Sequence, residues 1–127
     1  GTGHSVSFVG NVHEGPHALN GRNTVVFQPG MIVTDEPGVY EGGQVGIRIE
    51  NELMCVHKAD NQYGTFLGFE PIMFVPIATS PVVPGVLTRD ELDWLNAYHR
   101  EVFTKLAPHL TEEERDWLAK KCAAIGA

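Results

Sequence analysis

Cysteine is scarce. Cys55 and Cys122 are the only two in 127 residues, too few for a disulfide framework, which suits a reducing compartment. Cations are in the minority as well: nine Lys and Arg stand against 16 Asp and Glu, for a net charge of -7. That balance argues against a nucleic-acid or anionic-membrane partner held by bulk charge. No apolar run approaches the roughly 20 residues that span a bilayer, and the first residues show no basic-then-apolar leader. The expectation is a cytoplasmic protein. A starting methionine is missing too, since the chain opens Gly1-Thr2-Gly3-His4, and this reads as a cut inside a longer protein. Turn chemistry, by contrast, is plentiful. The 14 Gly and 8 Pro are many for a helical bundle and point to strands and turns. With 43% hydrophobic and 20% charged residues, the composition is that of a folded domain or a piece of one.

The pattern divides the chain into a strand-and-turn part, 1–86, and a helical tail, 87–127. Strands are expected at Val6–Val9, Thr24–Phe27, Met31–Thr34, Val45–Glu50, Glu52–His57 and Ile72–Ile77, separated by Gly-Pro at 15–16, Asn-Gly at 20–21, and Pro-Gly at 29–30 and 37–38. Val45, Ile47 and Ile49 alternate with Gly46, Arg48 and Glu50, so Arg48 and Glu50 share a face beside a glycine that leaves room for close approach. In the tail, Thr88-Arg89-Asp90-Glu91 has the spacing of a capping box. Leu92, Leu95, His99, Val102 and Leu106 then recur at helical intervals, up to Pro108. Thr111–Glu114 repeats the capping pattern before a second helix with Trp117, Leu118, Cys122 and Ile125 on its apolar side. Trp94 and Trp117 read as helix-anchoring core residues. The fold class is α+β, a mostly antiparallel sheet followed by two C-terminal helices.

Three clusters carry chemistry. His4 and His13 lie in a Gly-rich stretch, a possible metal or acid/base pair at a spacing of nine that matches no short zinc motif. Thr34-Asp35-Glu36-Pro37-Gly38-Val39-Tyr40 reads first as a solvated turn. Gly46–Asn51 puts Arg48 beside Glu50, and a carboxylate held by an arginine stays ionised, as a metal ligand must. His4, Glu36 and Glu50 together make a His/Glu/Glu set suited to Mn²⁺, Zn²⁺ or Co²⁺. Periodicity alone does not bring the three together: a tight hairpin joining 31–36 to 45–50 pairs Glu36 near Val45 and leaves Glu50 at the far end. His17, His57, His99 and His109 read as surface or helix residues, with His99 in the apolar stripe as a hydrogen-bonded core histidine. Cys55 and Cys122 read as packed free thiols.

In this order, Gly1–His4 (GTGH), Asn11–Pro16 (NVHEGP), Pro29–Met31 (PGM), Thr34–Gly38 (TDEPG), Tyr40 and Gly46–Asn51 (GIRIEN) resemble the pita-bread metallopeptidases, and among them the Xaa-Pro aminopeptidases. Phe69-Glu70-Pro71, Asp93–His99 and the Trp117-Leu118 helix extend the likeness to the multi-domain type. The resemblance implies the C-terminal half of a pita-bread catalytic domain with two divalent metal ions, usually manganese, bound by five ligands. Here His4 matches the histidine ligand, Glu36 the first glutamate and Glu50 a glutamate bridging both metals. His13 matches a histidine that contacts substrate and stabilises the tetrahedral intermediate, and Glu36 is also placed to handle a proton of the attacking water. Tyr40 and Arg48 match residues that support the site. The implied reaction is release of the N-terminal residue from peptides with proline in second position, by a cytosolic homodimer.

Two aspartate ligands and a histidine before Gly1, expected from the same resemblance, are absent, so the isolated chain is expected to be inactive. Ser5-Val6-Ser7 replaces the usual Gly-Val-Gly. A prolidase-type dipeptidase and a non-catalytic pita-bread binding module are the alternative readings.

Overall fold

In the computed structural model, which describes residues 1–126, every strand lies before residue 72 and every pairing is antiparallel. The strands are β1 (Gly3–Ser5), β2 (Glu14–Leu19), β3 (Ile32–Asp35), β4 (Gly38–Glu41), β5 (Val45–Arg48), β6 (Asn51–Asn61) and β7 (Gly64–Pro71). They form a β1–β2 pair, a β3–β6–β7 sheet and a β4–β5 pair. The helices α1 (Arg89–Leu106) and α2 (Glu112–Lys121) follow. This is the expected α+β order. The chain divides into one compact unit, Gly1–Met73, and a second that begins at Phe74.

Three expected strands do not form. At Val6–Val9 the Ser7 hydroxyl accepts from the N–H groups of Val9 (3.3 Å) and Gly10 (2.7 Å) and turns the chain. At Thr24–Phe27 the Asn23 side chain takes both polar groups of the Val25 backbone. In each case a short polar side chain competes with a ladder for the backbone. The ladder ends before Ile72–Ile77, at the bond from Ile72 N–H to Glu52 O (2.9 Å). Conversely, β2 forms across Gly15-Pro16. There the β1–β2 register slips, from His4 opposite Ala18 to Ser5 opposite Glu14, so Pro16 lies where no ladder N–H is required.

The register of the long hairpin positions the site. β3 pairs with β6 down to Asp35 opposite Asn51, and β4 pairs with β5 from Gly38 opposite Arg48. Between them the Ile49 N–H donates to Pro37 O (3.3 Å), the next rung in the same register. Both ladders are therefore arms of one hairpin, interrupted by two residues on each side, and the interruption sets Glu36 opposite Glu50. The expected pairing of Glu36 near Val45 is wrong, because Pro37-Gly38 does not break the chain. The chain runs on into β4 and turns at Glu41–Gln44, where the Gln44 N–H donates to Glu41 O (2.9 Å) and Gly43 takes φ +72°.

In the second unit, both capping boxes form. Thr88 and Thr111 accept from the N–H groups of Glu91 and Glu114, whose carboxylates reach back to the cap. These contacts hold both carboxyls below their usual pKa, chiefly through the hydrogen bonds from the Thr88 and Thr111 backbones. Tyr98, Val102 and Leu118 make the buried core, with Phe74, Ile77, Phe103, Leu106, Leu110 and Cys122 around them. Trp94 and Trp117 are not core residues: each is more than half exposed, Trp94 stacked on the outer side of Tyr98 with ring centroids 5.8 Å apart. Asn96 clasps the end of the chain through both polar groups of Ile125. Both cysteines are free, Cys55 buried and Cys122 half-buried. No helix among the described residues is long and apolar enough to cross a membrane.

Candidate metal centre

β1 delivers His4 to the end of β3. The His4 N–H donates to Thr34 Oγ1 (3.0 Å), and the Glu36 N–H donates to Thr2 O. The backbones approach so closely that a Cβ on Gly3 would lie 1.7 Å from Thr34 O, so only glycine fits there. The His4 Nδ1–H donates to Ser5 O (2.9 Å), because a carbonyl can only accept. The other ring nitrogen, Nε2, lies 2.9 Å from Glu36 Oε1. An imidazole nitrogen and a carboxylate oxygen this close are joined by a proton or by a metal ion. Glu36 is thus no solvated turn residue: its side chain is only 14% exposed, and the Thr34 hydroxyl also donates to Oε1 (3.1 Å).

Arg48 holds the other side of Glu36, with Nη1 paired to Oε2. Its Nε–H donates to the Tyr40 hydroxyl (2.7 Å). Tyr40 faces Gly46 across the β4–β5 ladder. A Cβ on Gly46 would come within 2.9 Å of the Tyr40 ring, and one on Gly38 within 2.6 Å of its hydroxyl. The close approach expected at Gly46 is therefore that of the Tyr40 ring. The arginine's partner also differs from the one expected: Arg48 grips Glu36 across the hairpin, not its strand neighbour Glu50. Glu36 and Glu50 occupy facing positions of that register, in the interruption between the two ladders.

His13 stands beside His4, their rings edge to face with centroids 4.2 Å apart. The long spacing closes because β2 folds back on β1. His17 is neither a surface nor a helix residue. It lies buried in β2, donating from Nε2 to Ile32 O (2.7 Å) and edged by Phe27. His4, His13, Glu36, Arg48 and Tyr40 are therefore linked contact by contact, while Glu50 is placed by register. Among the described residues, no three His, Cys, Asp or Glu side chains form a ready metal-binding group. The donor types nonetheless fit a divalent cation: an imidazole nitrogen, a carboxylate already facing it, and a second carboxylate at the facing position of the register. Two contributors escaped the sequence reading, Thr34 and Ser5. Thr34 lay within the TDEPG stretch, but nothing in its spacing marked a hydroxyl that ties β1 to Glu36.

Residues 1–57 match the model of metallopeptidase family M24, and residues 65–125 match that of the C-terminal region of peptidase M24. The chain belongs to metallopeptidase family M24. It is 42% identical to aminopeptidase P1 of Lotus japonicus, over 99% of this chain and 20% of that protein. It is 47% identical to aminopeptidase P2 of Arabidopsis thaliana, over 93% of this chain and 18% of that protein. The chain thus spans about one-fifth of the length of these M24 relatives. In structure it matches X-prolyl aminopeptidase from Caenorhabditis elegans, a cytosolic enzyme with a di-nuclear active site, with a TM-score of 0.87 and 39% identity. That match covers 98% of this chain and 21% of the other. The fold is accordingly the C-terminal part of the α+β pita-bread architecture.

Proposed function

We propose that the chain is the C-terminal portion of the catalytic domain of a cytoplasmic, metal-dependent Xaa-Pro aminopeptidase, dimeric in its whole form. The observation that carries this reading is Nε2 of His4 facing Glu36 at 2.9 Å, with Glu50 at the facing position of the hairpin register. His4, Glu36 and Glu50 would hold two divalent metal ions, manganese first and zinc or cobalt otherwise. Bound there, such ions would supply an acidified water and polarise the scissile carbonyl. Glu36 takes up a proton from the attacking water. Arg48, on its far oxygen, fixes which oxygen faces inward. His13 reaches the substrate carbonyl and stabilises the charge that develops on its oxygen. Tyr40 orients Arg48. The substrate is a peptide with proline in second position, and the first residue is released.

The test uses the full-length protein loaded with Mn²⁺ and a length series of Xaa-Pro peptides. Turnover of peptides longer than two residues is expected, and Glu50→Ala is expected to abolish it. Retained turnover in that variant sinks the ligand assignment. Cleavage of dipeptides alone indicates a prolidase-type enzyme, and absence of bound metal in the intact protein indicates a non-catalytic module.

A further inference from the structure

His13 ends a loop, residues 7–13, whose apolar side chains Phe8, Val9 and Val12 all stand in solvent. A loop that buries no apolar surface needs hydrogen bonds to hold one shape. Two serines supply them. Ser5 is only 4% exposed, and its hydroxyl donates to Glu14 O (2.7 Å) and Gly15 O (3.1 Å). Those carbonyls lie where the β1–β2 register slips, so the ladder leaves them in need of a donor. Ser7 closes the other end. Its hydroxyl accepts from the Gly10 and Val9 N–H groups, and its own N–H donates to Asn11 O (3.3 Å). The Glu14 carboxylate completes the ring, taking the Asn11 N–H (2.8 Å) and side-chain amide (2.9 Å). Gly10 sits at its centre, where a Cβ would meet Glu14 Oε1 at 2.6 Å and Ser7 Oγ at 2.7 Å.

His13 is thus suspended between two anchored neighbours. Asn11 is tied to Ser7 and Glu14; Glu14 and Gly15 are tied to Ser5. We infer that Ser5 and Ser7 are positioning residues for His13, holding its imidazole edge-on to His4 and toward the substrate carbonyl. The family resemblance leads to glycine at both positions, and glycine has no hydroxyl with which to make these bonds. The inference rests on the functional reading above, in which His13 contacts the substrate.

The test compares Ser5→Ala, Ser7→Ala, His13→Ala and the Ser5→Ala/His13→Ala and Ser7→Ala/His13→Ala doubles in the Mn²⁺-loaded full-length protein, with melting temperature recorded for each. Each serine variant should lower kcat about tenfold, as a small misplacement of a catalytic group does, with KM changed less than about twofold. In the His13→Ala background the same changes should cost almost nothing, because residues that act through one group are not additive. Ser7→Thr, which keeps the hydroxyl, should retain kcat. Ser7 lies nearer the loop's surface, so its variants carry the test if Ser5→Ala does not fold. Undiminished kcat in the single variants, or additive losses in the doubles, overturns the inference alone. A wild-type protein that cleaves no Xaa-Pro peptide overturns the functional reading and the inference with it.

Discussion

Glu36 is asked to do two things at once, and its neighbours divide the work. One oxygen faces Nε2 of His4 while the other is paired with Arg48. A guanidinium suits this role because it can bind Glu36 through one nitrogen and the Tyr40 hydroxyl through another. Lysine offers a point charge with no such fork. Arg48→Lys in the full-length protein should therefore weaken Mn²⁺ binding about 10- to 100-fold, the usual range for a residue that orients a ligand. Tyr40→Phe removes only the second link and should cost less. Metal titration by calorimetry reads both, and an affinity unchanged in Arg48→Lys would show that the arginine does not set the carboxylate. None of this geometry follows from spacing along one strand, where Arg48 is two residues from Glu50 and twelve from Glu36. It follows from a register that a sequence pattern does not specify.

The elements place these residues by backbone contact. β1 is three residues long, too short to be fixed by its ladder with β2 alone, and it is held by the close fit of Gly3 against Thr34 O. Gly3→Ala should force β1 away from β3 at a cost of about 1–3 kcal/mol, the range for overpacking. It should also separate His4 from Glu36, so metal affinity should fall together with the melting temperature. A melting temperature within error of the unchanged protein would show that the contact is not constraining. The helices were legible in outline, because capping residues and a 3.6-residue apolar stripe are local signals. The strands were legible where alternation was strong, as at Val45–Ile49, and at the short apolar runs Met31–Thr34 and Glu52–His57, which overlap β3 and β6. β2 and β4 were hidden by Gly15-Pro16 and Pro37-Gly38, pairs that punctuate most chains but here lie at a register slip and at a break between ladders. β7 was missed because Gly64 and Gly68 dilute its pattern; Gly68 is small because the Lys58 side chain crosses it. The site residues were named through resemblance, and the hairpin register supplies the facing positions of Glu36 and Glu50 that spacing alone did not.

Taken whole, the chain distributes its core unevenly. Val33 and Cys55 are the buried apolar side chains of the first unit, against Leu92, Leu95, Tyr98, Val102, Ala107 and Leu118 in the second. The second unit also encloses His99, fully buried. Its Nε2 accepts from the Ile77 N–H (3.1 Å) and pins the Phe74–Ile77 segment onto α1. An accepting Nε2 requires a neutral ring, and Nδ1 finds no partner among the described residues. Burial outweighs the effect of the Ile77 contact and pushes the His99 pKa below its usual value. The sign of the linkage follows: the unfolded chain takes up the proton first, near pH 6.5, while the folded unit resists it to lower pH. The stability conferred by neutral His99 is thus complete above about pH 6.5 and is lost as pH falls from there toward the depressed folded value. Hydrogen exchange of the Ile77 amide should accelerate over that interval relative to amides of β6. His99→Gln, whose side-chain oxygen can accept from Ile77 without titrating, should remove the pH dependence while keeping the protection. Equal pH sensitivity in His99→Gln would assign the effect to another group and remove His99 as the link between acidity and the packing of α1.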